Sequence, residues 1–113
     1  MHLGAMAVIG KAAPDNLIHI IVNNEAHETV GGMPTAAKTT DLAAAAKACG
    51  YPYAQTVKTV EELDQALKAA KSRRKLTMIV VYSAIGARED LGRPTTTAAQ
   101  NRQGFMDYLK ECR

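Results

Sequence analysis

Leu17-Ile18-His19-Ile20-Ile21-Val22, running straight into Asn23-Asn24, is the stretch that decides the fold. Apart from His19 it is apolar and mostly β-branched, without the alternation of a strand wetted on one side. A run of this kind suits a strand covered on both faces of a parallel sheet. Upstream, Leu3, Met6, Ala7 and Gly10 recur at helical spacing and predict an opening helix that stops before Ala13-Pro14-Asp15-Asn16. Downstream, residues 23–39 carry glycines, a proline and polar groups without a period. They read as a long loop at the strand's C-terminal end, and such loops within compact domains are often functional.

Farther along, residues 41–49 are rich in alanine and strongly helix-forming, with Thr40 available as N-cap and Gly50 placed to end the helix in a left-handed conformation. Residues 51–57 form the next short strand. Thr59-Val60-Glu61-Glu62 spells a capping box, and Leu63, Ala66, Leu67 and Ala70 form the buried stripe of a helix running to about Ser72. Leu76-Thr77-Met78-Ile79-Val80-Val81-Tyr82 is a third buried strand, followed by an irregular, arginine-bearing loop over 83–94. Thr95 to Thr97 can cap a final helix carrying Phe105, Met106, Tyr108 and Leu109. Strict alternation of helix and strand predicts an α/β fold, a parallel sheet with helices on both faces and right-handed crossovers. Ligands bind beyond the carboxyl ends of such strands, which puts loops 23–39 and 83–94 on one functional rim. No internal repeat or linker interrupts residues 1–113, so a single domain is expected.

Composition narrows the class. The chain has 113 residues, 47% apolar and 22% charged, in globular proportion. Every apolar run is too short for a membrane span, and the first ten residues lack the basic start of a signal peptide. Cys49 and Cys112 show no metal or redox spacing and read as reduced thiols of a cytoplasmic protein. The formal charge is +3, and the basic cluster Lys71-Ser72-Arg73-Arg74-Lys75 reads as a solvated helix end meeting its dipole. Aromatics do not interleave it, so no nucleic-acid partner is expected.

The most informative chemistry is Asn23-Asn24 behind a buried strand. A carboxamide oxygen and a nearby carbonyl are hard ligands suited to Mg²⁺ when phosphate oxygens complete its shell; the same pair can also simply make a turn. The wider segment Ile20-Ile21-Val22-Asn23-Asn24-Glu25-Ala26-His27-Glu28-Thr29-Val30-Gly31-Gly32-Met33-Pro34-Thr35 resembles the end of the cofactor motif in the phosphonopyruvate decarboxylase family of thiamine-diphosphate-dependent decarboxylases. Ala48-Cys49-Gly50-Tyr51 and Arg88-Glu89-Asp90-Leu91-Gly92-Arg93-Pro94-Thr95-Thr96-Thr97 are similar to that family too. The resemblance implies the C-terminal part of a diphosphate-binding domain, with thiamine diphosphate and Mg²⁺ as cofactors. It implies Mg²⁺ ligation by the Asn24 side chain and the Ala26 carbonyl, close approach of the diphosphate at Gly31 and Gly32, and His27 and Glu28 beside the site. The other readings are a surface histidine for His27 and a solvated carboxylate for Glu28. Arg88 and Arg93 are candidates for anchoring an anionic substrate, or form surface salt bridges. His2 and His19 are given no role, and no catalytic residue is assigned. The implied reaction converts phosphonopyruvate, a small anionic 2-oxo acid, to phosphonoacetaldehyde and CO₂, with the cofactor as electron sink.

Two departures from the family pattern bear on that reading. The Gly-Asp-Gly half of the motif would fall just before Met1, and Glu25 stands where glycine is expected. The family's pyrimidine-binding domain is not in the sequence either. The metal site is therefore expected to be incomplete and the chain inactive alone. The expected assembly is a homo-oligomer, a homodimer first, or a complement with the N-terminal part, paired through the sheet edge left by the missing strand or through the helix faces beside it. The alternatives are a piece of a sulfopyruvate decarboxylase subunit and a non-catalytic α/β assembly module.

Overall fold

A computed structural model describes residues 3–112 of the chain; His2, named above, lies outside the described residues. The elements run α1 (Leu3–Ala12), β1 (Ile18–Asn23), β2 (Ala26–His27), β3 (Met33–Pro34), α2 (Leu42–Ala48), β4 (Tyr53–Val57), α3 (Val60–Arg73), β5 (Thr77–Tyr82) and α4 (Ala98–Glu111). Three strands form a parallel sheet in the order β1-β5-β4. The most continuously apolar strand, β5, takes the centre, where both faces are covered: Met78, Ile79 and Val80 are buried.

Side chains of β5 divide by parity, as a pleated strand requires. Met78 and Val80 pack with Met6 of α1, Ala43 and Ala46 of α2, and Tyr51. Ile79 packs on the other face with Ala66 of α3, joined by Leu63, Leu67 and Val81. From β1 the chain passes through α2 to β4, skipping the position of β5, and then returns to β5 through α3. The two crossovers travel in opposite directions over opposite faces, so they share one hand, as parallel βαβ units do. The expected α/β sheet with helices on both faces is the observed one, but β1, expected to be covered on both faces, is an edge strand on which Ile20 and Val22 stay exposed, because β5 takes the centre of the sheet.

Small residues let the α1/α2 layer close. A Cβ on Gly10 would stand 1.8 Å from the carbonyl oxygen of Cys49, so α1 lies directly against the end of α2. Gly50 follows with φ +98°, the left-handed stop foreseen for it. The basic cluster after α3 is partly engaged: Arg73 stacks over the Tyr53 ring at 4.6 Å, and Lys75 Nζ pairs with Asp15 at 2.9 Å.

Several local expectations are corrected. The first strand takes in Asn23, so the long loop begins one residue later. That loop is ordered by an antiparallel pairing of β2 with β3 and by two short 3₁₀ turns, over Glu28–Val30 and Ala36–Lys38. Asp41, not Thr40, caps α2, its Oδ1 accepting the Ala44 N–H at 2.9 Å. A carboxylate is as good a cap as a hydroxyl and also meets the positive helix end. Thr59 caps α3 as expected, but Glu62 reaches back to the Lys58 N–H rather than that of Thr59. Thr97 and Gln100 form a full capping box on α4, whose Phe105, Met106, Tyr108 and Leu109 remain exposed.

Candidate functional site

Because β1 alternates, His19, Ile21 and Asn23 share the face turned toward α1 and α2. At the strand's C-terminal end this face opens into a cleft of about 720 Å³. Met6 and Ile9 form an apolar wall, while Asn23, Asn24, Ala26 and His27 bring polar groups to the rim. The volume is that of a small-molecule or cofactor site.

Two consecutive asparagines shape the rim by turning the backbone on itself. Asn23 Oδ1 accepts the Glu25 N–H at 3.0 Å, and Asn24 Oδ1 accepts the Ala26 N–H at 3.1 Å. The turn reading of the asparagine pair is therefore present, and it brings the Asn24 carboxamide against the Ala26 peptide. Asn24 Nδ2 donates to Glu28 Oε2 at 2.9 Å, so the amide's orientation is fixed from both ends. The other oxygen of Glu28 accepts the Gly86 N–H at 2.8 Å. One carboxylate thus ties the loop after β1 to the loop after β5, the two segments expected on a common rim.

Glu25 has φ +58°, in the left-handed region, which explains why a glycine is the residue expected there. Its carbonyl accepts the Thr35 N–H at 2.8 Å, and the His27 carbonyl accepts that of Gly32 at 3.0 Å, closing the small hairpin. Gly31 and Gly32 have φ +89° and +72°, and an added Cβ at either meets nothing within 4 Å. Here the backbone conformation requires glycine, not a close neighbour.

Asn24, Ala26 and His27 line the cleft; Glu28 holds Asn24 without lining it, and Gly31 and Gly32 are not among its lining residues. Arg88 and Arg93 are not brought to it. Both are exposed, and Arg88 Nε pairs with Asp90 Oδ1 at 3.2 Å. No three of the described His, Cys, Asp or Glu residues converge on a metal position, so a cation here would rest on amide and carbonyl oxygens.

Two lining groups have no role of their own in the sequence reading: His19, and Asn23, which enters it only as half of the asparagine pair. His19 Nδ1 lies 2.9 Å from the hydroxyl of Tyr51, a residue 2% exposed. Burial, and secondarily the charge of Cys49, push the Tyr51 hydroxyl above its ordinary value of 10.0. Asn23 is 6% exposed, and its Nδ2 is the one buried side-chain polar atom without a partner among the described residues. The parity of β1 was the signal for both, since it places 19, 21 and 23 on one face.

Comparison with known proteins gives the family. The family described as "Thiamine pyrophosphate enzyme, C-terminal TPP binding domain" matches residues 1–81. Phosphonopyruvate decarboxylase of Streptomyces viridochromogenes is 33% identical over 109 residues, 96% of this chain and 28% of that protein. Sulfopyruvate decarboxylase subunit beta of Methanococcus maripaludis is 31% identical over 111 residues, 98% of this chain and 59% of that subunit. The chain thus spans 28% of the length of the phosphonopyruvate decarboxylases it matches. Among the described residues no helix is long and apolar enough to cross a membrane. With a parallel sheet, a cleft at the carboxyl end of β1 and an asparagine pair on its rim, the chain belongs to the thiamine pyrophosphate enzyme C-terminal TPP-binding domain family.

Proposed function

We propose that this chain forms, as one domain, the diphosphate-and-magnesium part of the cofactor site in a decarboxylase of a small anionic 2-oxo acid, phosphonopyruvate first. The observation that carries the reading is the Asn24 carboxamide, held against Ala26 by the Ala26 N–H and by Glu28 on the rim of the 720 Å³ cleft. Asn24 Oδ1 and the Ala26 carbonyl would hold Mg²⁺, and the cleft's apolar wall would exclude water around the bound cofactor. Thiamine diphosphate, when bound, supplies the electron sink for loss of CO₂. The chain's own residues bind and orient it.

Sulfopyruvate is the second substrate reading, favoured by the larger share of the subunit beta relative that the chain covers. The exposed face of β1, with Ile20 at 46% and Val22 at 70% exposure, supports assembly with a second copy or with the rest of the enzyme. Isothermal titration of thiamine diphosphate with Mg²⁺ into the 113-residue chain tests the site. The expected result is weak, Mg²⁺-dependent binding, weakened a further tenfold or more by Asn24→Ala, about 1.4 kcal/mol, with no aldehyde released in a separate assay with phosphonopyruvate. Binding indifferent to Mg²⁺ and to Asn24→Ala would place the cofactor elsewhere.

A further inference from the structure

Loop 83–94 is exposed along its whole length. Its first residue continues the β1–β5 ladder, the Ser83 N–H reaching the Asn23 carbonyl at 3.0 Å. Past that point its internal contacts are the Leu91 N–H on the Arg88 carbonyl and the Arg88–Asp90 ion pair. Among the described residues, one hydrogen bond ties the rest of the loop to another element: the Gly86 N–H donates to Glu28 Oε1 at 2.8 Å. With no buried side chain to fix it, the loop takes its place from that bond.

The two oxygens of Glu28 take two donors at once, Asn24 Nδ2 at 2.9 Å and the Gly86 N–H at 2.8 Å. Both bonds are charge-assisted and stronger than those between neutral groups. Asn24 Oδ1 meanwhile accepts the Ala26 N–H at 3.1 Å. The groups form one chain, from the Ala26 peptide through a carboxamide and a carboxylate to the Gly86 peptide, and bonds in such a chain polarise one another. A glutamine in place of Glu28 could meet only one of the two donors, since its NH₂ is itself a donor.

We infer that Glu28 is a positioning residue for both loops: it fixes the orientation of the Asn24 carboxamide at the rim, and it makes the placement of loop 83–94, with Arg88 and Arg93, respond to a cation held there. That response rests on Asn24 and Ala26 being the Mg²⁺ ligands proposed above; the Gly86 tether does not. A cation drawing on Asn24 Oδ1 leaves Nδ2 a stronger donor to Glu28, and the change is felt at the carboxylate's other oxygen. Partners standing behind a metal ligand in this way set its orientation and the affinity of the site.

The test is a titration of the ¹⁵N-labelled 113-residue chain with MgCl₂ alone, followed by NMR, with KCl at matched ionic strength as the control. Saturable shifts are expected at the Ala26 amide, the Asn24 side-chain NH₂ and the Gly86 amide, all on one binding curve. Glu28 is exposed, so Glu28→Gln should keep the fold. In that variant the Ala26 response should persist with affinity about tenfold weaker, and the Gly86 response should vanish. Saturation at Ala26 with a silent Gly86 in the parent, or a Gly86 response unchanged in Glu28→Gln, would overturn the inference. Amide exchange without metal reads the tether by itself. Glu28→Ala should speed exchange at Gly86 about tenfold and leave Ser83, bonded to Asn23, unchanged. Equal rates at Gly86 in parent and variant would overturn the tether. Absence of any Mg²⁺ shift at residues 24–27 would overturn the Mg²⁺ site and the response built on it, whatever the exchange rates show.

Discussion

Gly10→Ala puts the packing of the cleft wall to a quantitative test. The new methyl would stand 1.8 Å from the Cys49 carbonyl oxygen and 2.8 Å from its carbon. Both are backbone atoms, so no rotamer change relieves the clash. Restoring an ordinary C···O separation of about 3.3 Å requires α1 to retreat by roughly 1.5 Å. Overpacking of this kind costs about 1–3 kcal/mol. The retreat also loosens Met6, buried at 6% exposure, whose side chain contributes about 1.5–3 kcal/mol when fully covered. Helix propensity returns about 1 kcal/mol for glycine to alanine. The net expectation is a loss of about 3 kcal/mol, roughly 10 °C or more in Tm for a domain of this size. Gly104→Ala in α4 is the matched control: its added Cβ meets nothing within 4 Å, so it should stabilise by about 0.5–1 kcal/mol. Thermal and urea unfolding of both variants gives the answer. A Gly10→Ala protein melting at or above the parent, with Gly104→Ala behaving as expected, would refute the close approach of α1 to α2.

Glu25→Gly should stabilise the chain by roughly 0.5–1 kcal/mol. The left-handed φ of +58° costs a side-chain-bearing residue about 1–2 kcal/mol, and glycine's extra chain entropy takes back part of that gain; an unchanged or lower urea midpoint would contradict it. Alkaline unfolding should depend on Tyr51. Below its ordinary value of 10.0 both folded and unfolded chains keep the proton, whereas above it the unfolded chain releases the proton first. Stability should therefore fall as pH rises past 10.0 toward the raised folded value, and the fall should be shallower in Tyr51→Phe; equal slopes in the two proteins would remove burial as the cause.

Strand and helix identities were legible in the chain because they follow from local pattern. The apolar run at 76–82 requires two covered faces, and the stripe of Leu63, Ala66, Leu67 and Ala70 requires one; the run at 17–22 carried the same demand in the sequence but folds as an edge strand with Ile20 and Val22 exposed. From those demands the alternation, the parallel sheet and the common rim follow, and Asn24 and Ala26 could be located from the motif's resemblance. Pairing order and side-chain partners were not legible, since they depend on contacts between residues distant in sequence. Only the folded chain makes β5 the central strand and joins Glu28 to both Asn24 and Gly86. It also leaves Arg88 and Arg93 off the cleft. Local sequence sets which way each residue's backbone turns and which face wants burial, while the meeting of polar groups across loops is settled by the packing of α1, α2 and α3 on the sheet.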